Sequence, residues 1–126
     1  MMRSTFARKP TAAELEVLKA LWQLGSATVK QVHQLLQAER PEITYARVLR
    51  QMQIMHTKGM LTRDESERSH LYAPAQSQNL LQANLLKDLI HKAFSGSGKA
   101  LVMAALRGHV TREERAEIER FLHEDL

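Results

Sequence analysis

The sequence predicts a mainly α-helical protein with one small β-hairpin, and three observations carry that expectation. Apolar residues recur at three- and four-residue spacing through most of the chain. Capping boxes of the form Thr-x-x-Glu or Thr-x-x-Gln open three of the periodic stretches. The helical period breaks between about Met60 and Ala73, where two short strand-like runs flank a polar turn, Glu65-Ser66-Glu67.

The elements follow in order. Thr11-Ala12-Ala13-Glu14 places a hydroxyl and a carboxylate where each satisfies an orphan amide of a first helical turn. Leu15, Leu18, Leu21 and Trp22 continue at helical spacing, and Gly25 stops the helix. Thr28-Val29-Lys30-Gln31 opens a second helix with Val29, Val32, Leu35 and Leu36 on one face, and Arg40-Pro41-Glu42 interrupts it. A third helix starts near Thr44 and ends at Lys58-Gly59, where a cation and a glycine both suit a C-terminus. Met60–Asp64 and Arg68–Ala73 are the strand candidates, and Pro74 closes the second. Beyond it Leu81, Leu85, Leu86, Leu89 and Ile90 stripe a helix running to about Phe94. Ser95-Gly96-Ser97-Gly98 is a flexible break. Leu101, Val102, Ala105 and Leu106 define a short helix ended by Gly108. Thr111-Arg112-Glu113-Glu114 opens the last helix, lined by Ile118, Phe121 and Leu122.

Three helices and a hairpin, in that order, make a winged helix-turn-helix, here followed by a three-helix dimerisation region. The expected organisation is an N-terminal arm over residues 1–10, a winged helix over 11–75 and a helical region over 76–126. The last three helices carry more apolar surface than about fifty residues hide alone, and oligomerisation commonly completes so small a core. A homodimer is therefore expected, with Leu81, Leu85, Leu89, Leu101, Ile118, Phe121 and Leu122 in its interface.

Charge divides the chain the same way. The net charge is +4, and residues 1–70 hold eleven Lys/Arg against seven Asp/Glu, while residues 71–126 hold seven of each. A basic module joined to a neutral helical one suits a polyanion partner for the first and a protein partner for the second. On charge alone, a chance excess of solvated cations explains the count equally well. With no cysteine there is no disulfide framework, thiolate metal site or cysteine switch. The start of the chain is polar and basic, unlike a secretory signal, and the apolar run from Leu101 to Leu106 is far too short to span a bilayer. A cytoplasmic protein with no membrane insertion is expected.

On a helical wheel at about 100° per residue, Tyr45, Val48, Met52 and Met55 of the third helix fall together as its core face. The opposite face carries Ala46, Arg47, Arg50, Gln53 and Thr57, with Ile54 at its edge. Reading base edges in a major groove takes donors for guanine O6 and N7, an amide for adenine, and small residues that permit close approach. Arg47 and Arg50, Gln53 and Ala46 supply these, and Thr44 at the helix start suits a phosphate. An ordinary solvated face would mix Glu with Lys. In the wing, Arg63, Arg68 and His70 are placed to reach the backbone or minor groove. Glu65 and Glu67 turn the tip toward solvent. Thr28 and Lys30 begin the second helix, whose free amides suit an anion, although Thr28 also reads as a plain cap.

These pieces together resemble the BlaI/MecI/CopY family of bacterial winged-helix repressors. The matching stretches are Glu14-Leu15-Glu16-Val17-Leu18 with Leu21-Trp22, Ala27-Thr28-Val29, Ile43-Thr44-Tyr45 before Val48-Leu49, Lys58-Gly59-Met60-Leu61, and Leu71-Tyr72-Ala73-Pro74. The resemblance implies a homodimer that represses transcription from an inverted-repeat operator in double-stranded DNA. It also implies, for antibiotic-responsive members, a membrane sensor metalloprotease encoded nearby that cuts the repressor at an Asn-Phe bond. This chain departs from the family pattern at Arg47, where Thr is usual, and at Ile54, where a basic residue is common. It has Ala104-Ala105 where the cleaved bond is expected, and it lacks the C-terminal cysteine ligands of copper-responsive members.

Other chemistry finds little support. His33, His56, His70, His91, His109 and His123 form no i, i+4 pair, so no metal is expected, and Met52, Met55 and Met60 read as core filler. No cofactor is implied. The chain has no Gly-rich phosphate loop, GxSxG or HExxH, so an enzyme is not expected. Two other functions compete with operator binding. A winged-helix protein–protein adaptor would lack salt-sensitive DNA binding, and a ligand-sensing regulator would need an effector pocket among its last three helices.

Overall fold

The computed structural model describes residues 9–124. Its elements are α1 (Ala12–Leu24), α2 (Val29–Gln37), α3 (Tyr45–Thr57), β1 (Leu61–Asp64), β2 (Leu71–Pro74), α4 (Gln78–Ala93), α5 (Gly98–Gly108) and α6 (Arg112–Glu124). Mainly helical with one antiparallel hairpin, this is the expected winged helix and helical C-terminal region. All but the last two residues of the expected N-terminal arm, Lys9 and Pro10, lie outside the described residues.

The chain divides into two compact units, one running to Ala83 and the other starting at Asn84, so the division falls inside α4. In the first unit, α1 begins where the Thr11 hydroxyl accepts from the Glu14 amide (3.1 Å) and the Glu14 carboxylate accepts from the Thr11 amide (2.9 Å). It ends at Gly25, whose φ of 85° is open to glycine at no steric cost. α2 repeats the device with Thr28 and Gln31. The core is built from Val17, Leu18 and Leu21 of α1, Val32 of α2, and Val48, Met52 and Met55 of α3, with Leu61 and Tyr72 from the strands, all buried. Burying each of the larger aliphatic side chains is worth about 1.5–3 kcal/mol.

The strands are shorter than expected. Leu61 pairs with Pro74 and Asp64 with Leu71, and the connecting loop extends from Glu65 to His70. A third segment joins the sheet. The Ala27 amide donates to the Tyr72 carbonyl (2.9 Å) and the Tyr72 amide to the Ala27 carbonyl (2.8 Å), pinning the wing to the α1–α2 turn.

Two expectations need correction here. The helical period puts Tyr45 on the core face of α3, yet it is 47% exposed. Ile43, just ahead of the helix, is buried instead, and Tyr45 lies edge-on to His33 of α2 with ring centroids 6.0 Å apart. The apolar stripe assigns Leu81 to the dimer interface, yet it is 2% exposed within one chain, in the part of α4 that belongs to the first unit. A side chain already out of water has no area left for a second copy to cover. Just ahead of α4, the Trp22 indole donates to the Gln76 carbonyl (3.2 Å), and Ser77 caps the helix through the Leu80 amide (3.2 Å).

The second unit comprises the rest of α4 with α5 and α6. Its break is tighter than the glycines and serines suggest. Ser95 and Gly96 take positive φ, and Ser97 caps α5 through the Ala100 amide (3.0 Å), so that helix starts at Gly98 rather than Leu101. The Thr111–Glu114 box opens α6 as expected. Arg115 reaches back to donate to the Leu106 carbonyl (2.7 Å), satisfying an orphan acceptor of α5. Neither α5 nor α6 contains a fully buried residue, and Phe121 and Leu122 are 59% and 51% exposed.

Candidate nucleic-acid interface

The exposed face of α3 is the centre of the candidate interface. Burial of Val48, Met52 and Met55 fixes the rotation of the helix, and the helical period then turns Ala46, Arg47, Arg50, Gln53 and Thr57 to solvent. No Asp or Glu occurs between Tyr45 and Thr57. Among the described residues neither Arg47 nor Arg50 has a carboxylate within salt-bridge distance. Both guanidinium forks are therefore available to an incoming acceptor.

Thr44 caps this helix, its hydroxyl oxygen accepting from the Arg47 amide (3.1 Å). That bond uses a lone pair and leaves the hydroxyl proton to donate. Thr28 differs. Its hydroxyl accepts from the Gln31 amide (3.2 Å) and donates to the Gln31 Oε1 (3.3 Å), so its proton is already engaged. Lys30 is exposed, with no ion-pair partner among the described residues.

In the wing the register separates residues that look equivalent in the sequence. Arg63 lies opposite Tyr72 and shares its side of the hairpin. Tyr72 is buried, so Arg63 lies over its ring, 5.9 Å from the centroid, and donates through Nε to the Glu65 carboxylate (2.6 Å). Beside that guanidinium the Glu65 carboxyl sits below its ordinary range. Arg63, which the sequence offers for DNA contact, is here engaged within the wing: its guanidinium pairs with Glu65 and its side chain is folded back onto Tyr72. Arg68 is exposed and unpaired among the described residues, and His70 is half-buried where the loop meets β2. Tyr72 also meets His56 of α3 edge-on at 6.3 Å, coupling the wing to the helix that carries Arg47 and Arg50.

Three interactions that brace this surface are not signalled by the sequence. Lys58, at the C-terminal cap of α3, donates to the second oxygen of Glu14 at 2.7 Å. His33 of α2 donates through Nε2 to the Ile43 carbonyl (2.9 Å), bracing the segment that leads into α3. Arg40, between α2 and α3, pairs with Glu16 of α1. Glu14 and Lys58 are each legible only as local helix-end residues, because nothing in the sequence joins positions 44 apart.

A three-helix core, a hairpin wing and an acid-free basic face on the third helix define a winged-helix protein of the nucleic-acid-binding class. The chain belongs to the penicillinase repressor family, whose model matches residues 10–124, and is accordingly a DNA-binding regulator. The fold is also that of the solved complex structure of hsRosR-S4, with a TM-score of 0.56 and 15% identity over 97% of this chain and 94% of that one. No curated protein sequence matches significantly. Among the described residues, no helix is long and apolar enough to cross a membrane.

Proposed function

We propose that the protein is a transcriptional repressor that binds an inverted-repeat operator as a homodimer. The carrying observation is the α3 face, where Arg47, Arg50 and Gln53 are exposed on a helix without a single carboxylate. Laid in a major groove, the two arginine forks match guanine O6 and N7, the Gln53 amide matches adenine, and Ala46 lets the backbone approach. Thr44 donates its free hydroxyl proton to a flanking phosphate. Lys30 and the amides at the start of α2 meet the same strand, with Thr28 acting as the cap that holds them in place. Arg68 and His70 contact the backbone beside the groove, while Arg63 keeps the wing in shape.

The homodimer reading rests on the second unit. α5 and α6 expose Phe121, Leu122, Val102 and Met103, and neither helix has a fully buried residue. A second copy laid on Leu85, Leu89, Leu101, Ile118, Phe121 and Leu122 supplies the missing core. Two linked modules then occupy two half-sites, and repression follows from their occupation of promoter DNA.

The test is a titration of duplex DNA, selected for binding from a random pool, at several salt concentrations. Neutralising phosphates releases counterions, so log affinity should fall linearly with log salt, by about 0.9 for each phosphate neutralised. The Lys30→Ala variant, which neutralises one phosphate fewer in each half-site, should show a slope shallower by about one for each lysine removed. Binding that is indifferent to salt, or no duplex binding at all, refutes the proposal and favours a protein adaptor.

A further inference from the structure

The DNA-facing side of α3 carries one large apolar residue that the phosphate and base-edge interactions above leave unused. Ile54 is 38% exposed, on the same side as Arg47 and Arg50 at the i+7 and i+4 positions. A single exposed isoleucine on a solvated helix says little. Ile54 is not in that setting. Its exposed neighbours along this side are Arg47, Arg50, Gln53 and Thr57, all polar, and the surface is poised against a polyanion. A branched apolar side chain on it has one apolar feature to meet in a major groove, the C5-methyl group that thymine presents there.

Resting on the DNA-binding reading, we propose that Ile54 is a specificity-determining residue that packs on a thymine methyl group beside the base pair read by Arg50. The spacing fits. Four residues advance a helix by about 6 Å, and neighbouring base pairs are separated by about 3.4 Å. The methyl group met by Ile54 therefore lies one or two base pairs from the base met by Arg50. Arg50 supplies polar discrimination at its pair, and Ile54 adds discrimination at a position where hydrogen bonding is not used.

The experiment uses the full-length chain and a site selected from random duplexes. Each thymine of one half-site is replaced in turn by deoxyuridine, which removes the methyl group and keeps the base pair. At one position, within two base pairs of the one whose substitution is silenced by Arg50→Ala, affinity should fall about fourfold, the worth of one methyl group removed from water. The Ile54→Ala variant should bind thymine and deoxyuridine sites equally there, and Ile54→Leu should restore the preference. Because Ile54 is exposed, all three proteins should share one thermal melt. Salt-sensitive binding by the wild type with no thymine–deoxyuridine difference at any position overturns this proposal and leaves the DNA-binding reading standing. A difference that persists unchanged in Ile54→Ala also overturns it. Failure of the wild type to bind any duplex removes both.

Discussion

Replacing Lys58 by methionine should destabilise the protein most at neutral pH and progressively less on acidification. Glu14 is 4% exposed, and its two carboxylate oxygens are held separately, one by the Thr11 amide at 2.9 Å and the other by the Lys58 ammonium at 2.7 Å. Methionine keeps most of the aliphatic stem and removes the charge. One carboxylate oxygen then loses its donor inside the fold. Removing one member of a fully buried pair costs about 3–5 kcal/mol. The Lys58 side chain is 35% exposed, so solvent screens the pair, and Glu14 retains the Thr11 bond. An expected loss of about 1–3 kcal/mol follows, the cost of one unsatisfied buried acceptor.

The pH dependence carries the sign. Burial pushes the Glu14 carboxyl up, but hydrogen bonds from Lys58 and the Thr11 amide outweigh it and hold the group below its ordinary value of 4.5. A carboxyl depressed on folding adds stability that is fully present above the unfolded value and disappears as pH falls through the folded one. Thermal melts of both proteins, at one protein concentration and at pH 7 and again below pH 4, measure the gap. A Tm difference of about 4 °C per kcal/mol is expected at pH 7, shrinking in acid. An equal loss at both pH values, or none at pH 7, would refute the pairing as the cause.

Arg50→Ala should cost about 1–3 kcal/mol of operator affinity and relax preference at one base position of each half-site, read by repeating the selection with the variant. Leu122→Asp should give a folded monomer by sedimentation, because it places an unpaired charge in an apolar interface. Truncation after Ala83 should retain sequence preference in competition assays but lose about 10²–10⁴ in affinity, since the second half-site is no longer engaged intramolecularly. The cut belongs there rather than after Pro74, because a shorter chain would strip Leu81 from the core.

What is legible in the sequence is local. Thr11 with Glu14, Thr28 with Gln31 and Thr111 with Glu114 are three residues apart, so their mutual capping follows from chemistry that neighbours alone decide. The buried face of α3 is legible for Val48, Met52 and Met55 because burial follows the helical period. The period fails at Tyr45, where the helix begins and the preceding Ile43 already fills the core. At Leu81 the period gives burial correctly but not what covers the side chain, because α4 serves both units and its apolar stripe does not reveal where one ends. In the wing, residue type alone makes Arg63 and Arg68 equal candidates for DNA. Only the pairing of Arg63 with Tyr72 separates an inward cation from an outward one. The Glu14–Lys58 pair and the Ala27–Tyr72 bridge join distant segments, and no local pattern announces either.

The central claim, that two copies of the α3 face read an inverted repeat, is tested most directly by hydroxyl-radical footprinting on a selected operator with the intact protein. The expected result is two protected half-sites related by a two-fold axis, their centres a whole number of helical turns apart, at about 10–10.5 base pairs per turn. Alanine at both Arg47 and Arg50 should abolish protection of the two together while circular dichroism remains unchanged. A single protected half-site at saturating protein, or a footprint that survives loss of both arginines, would contradict the account.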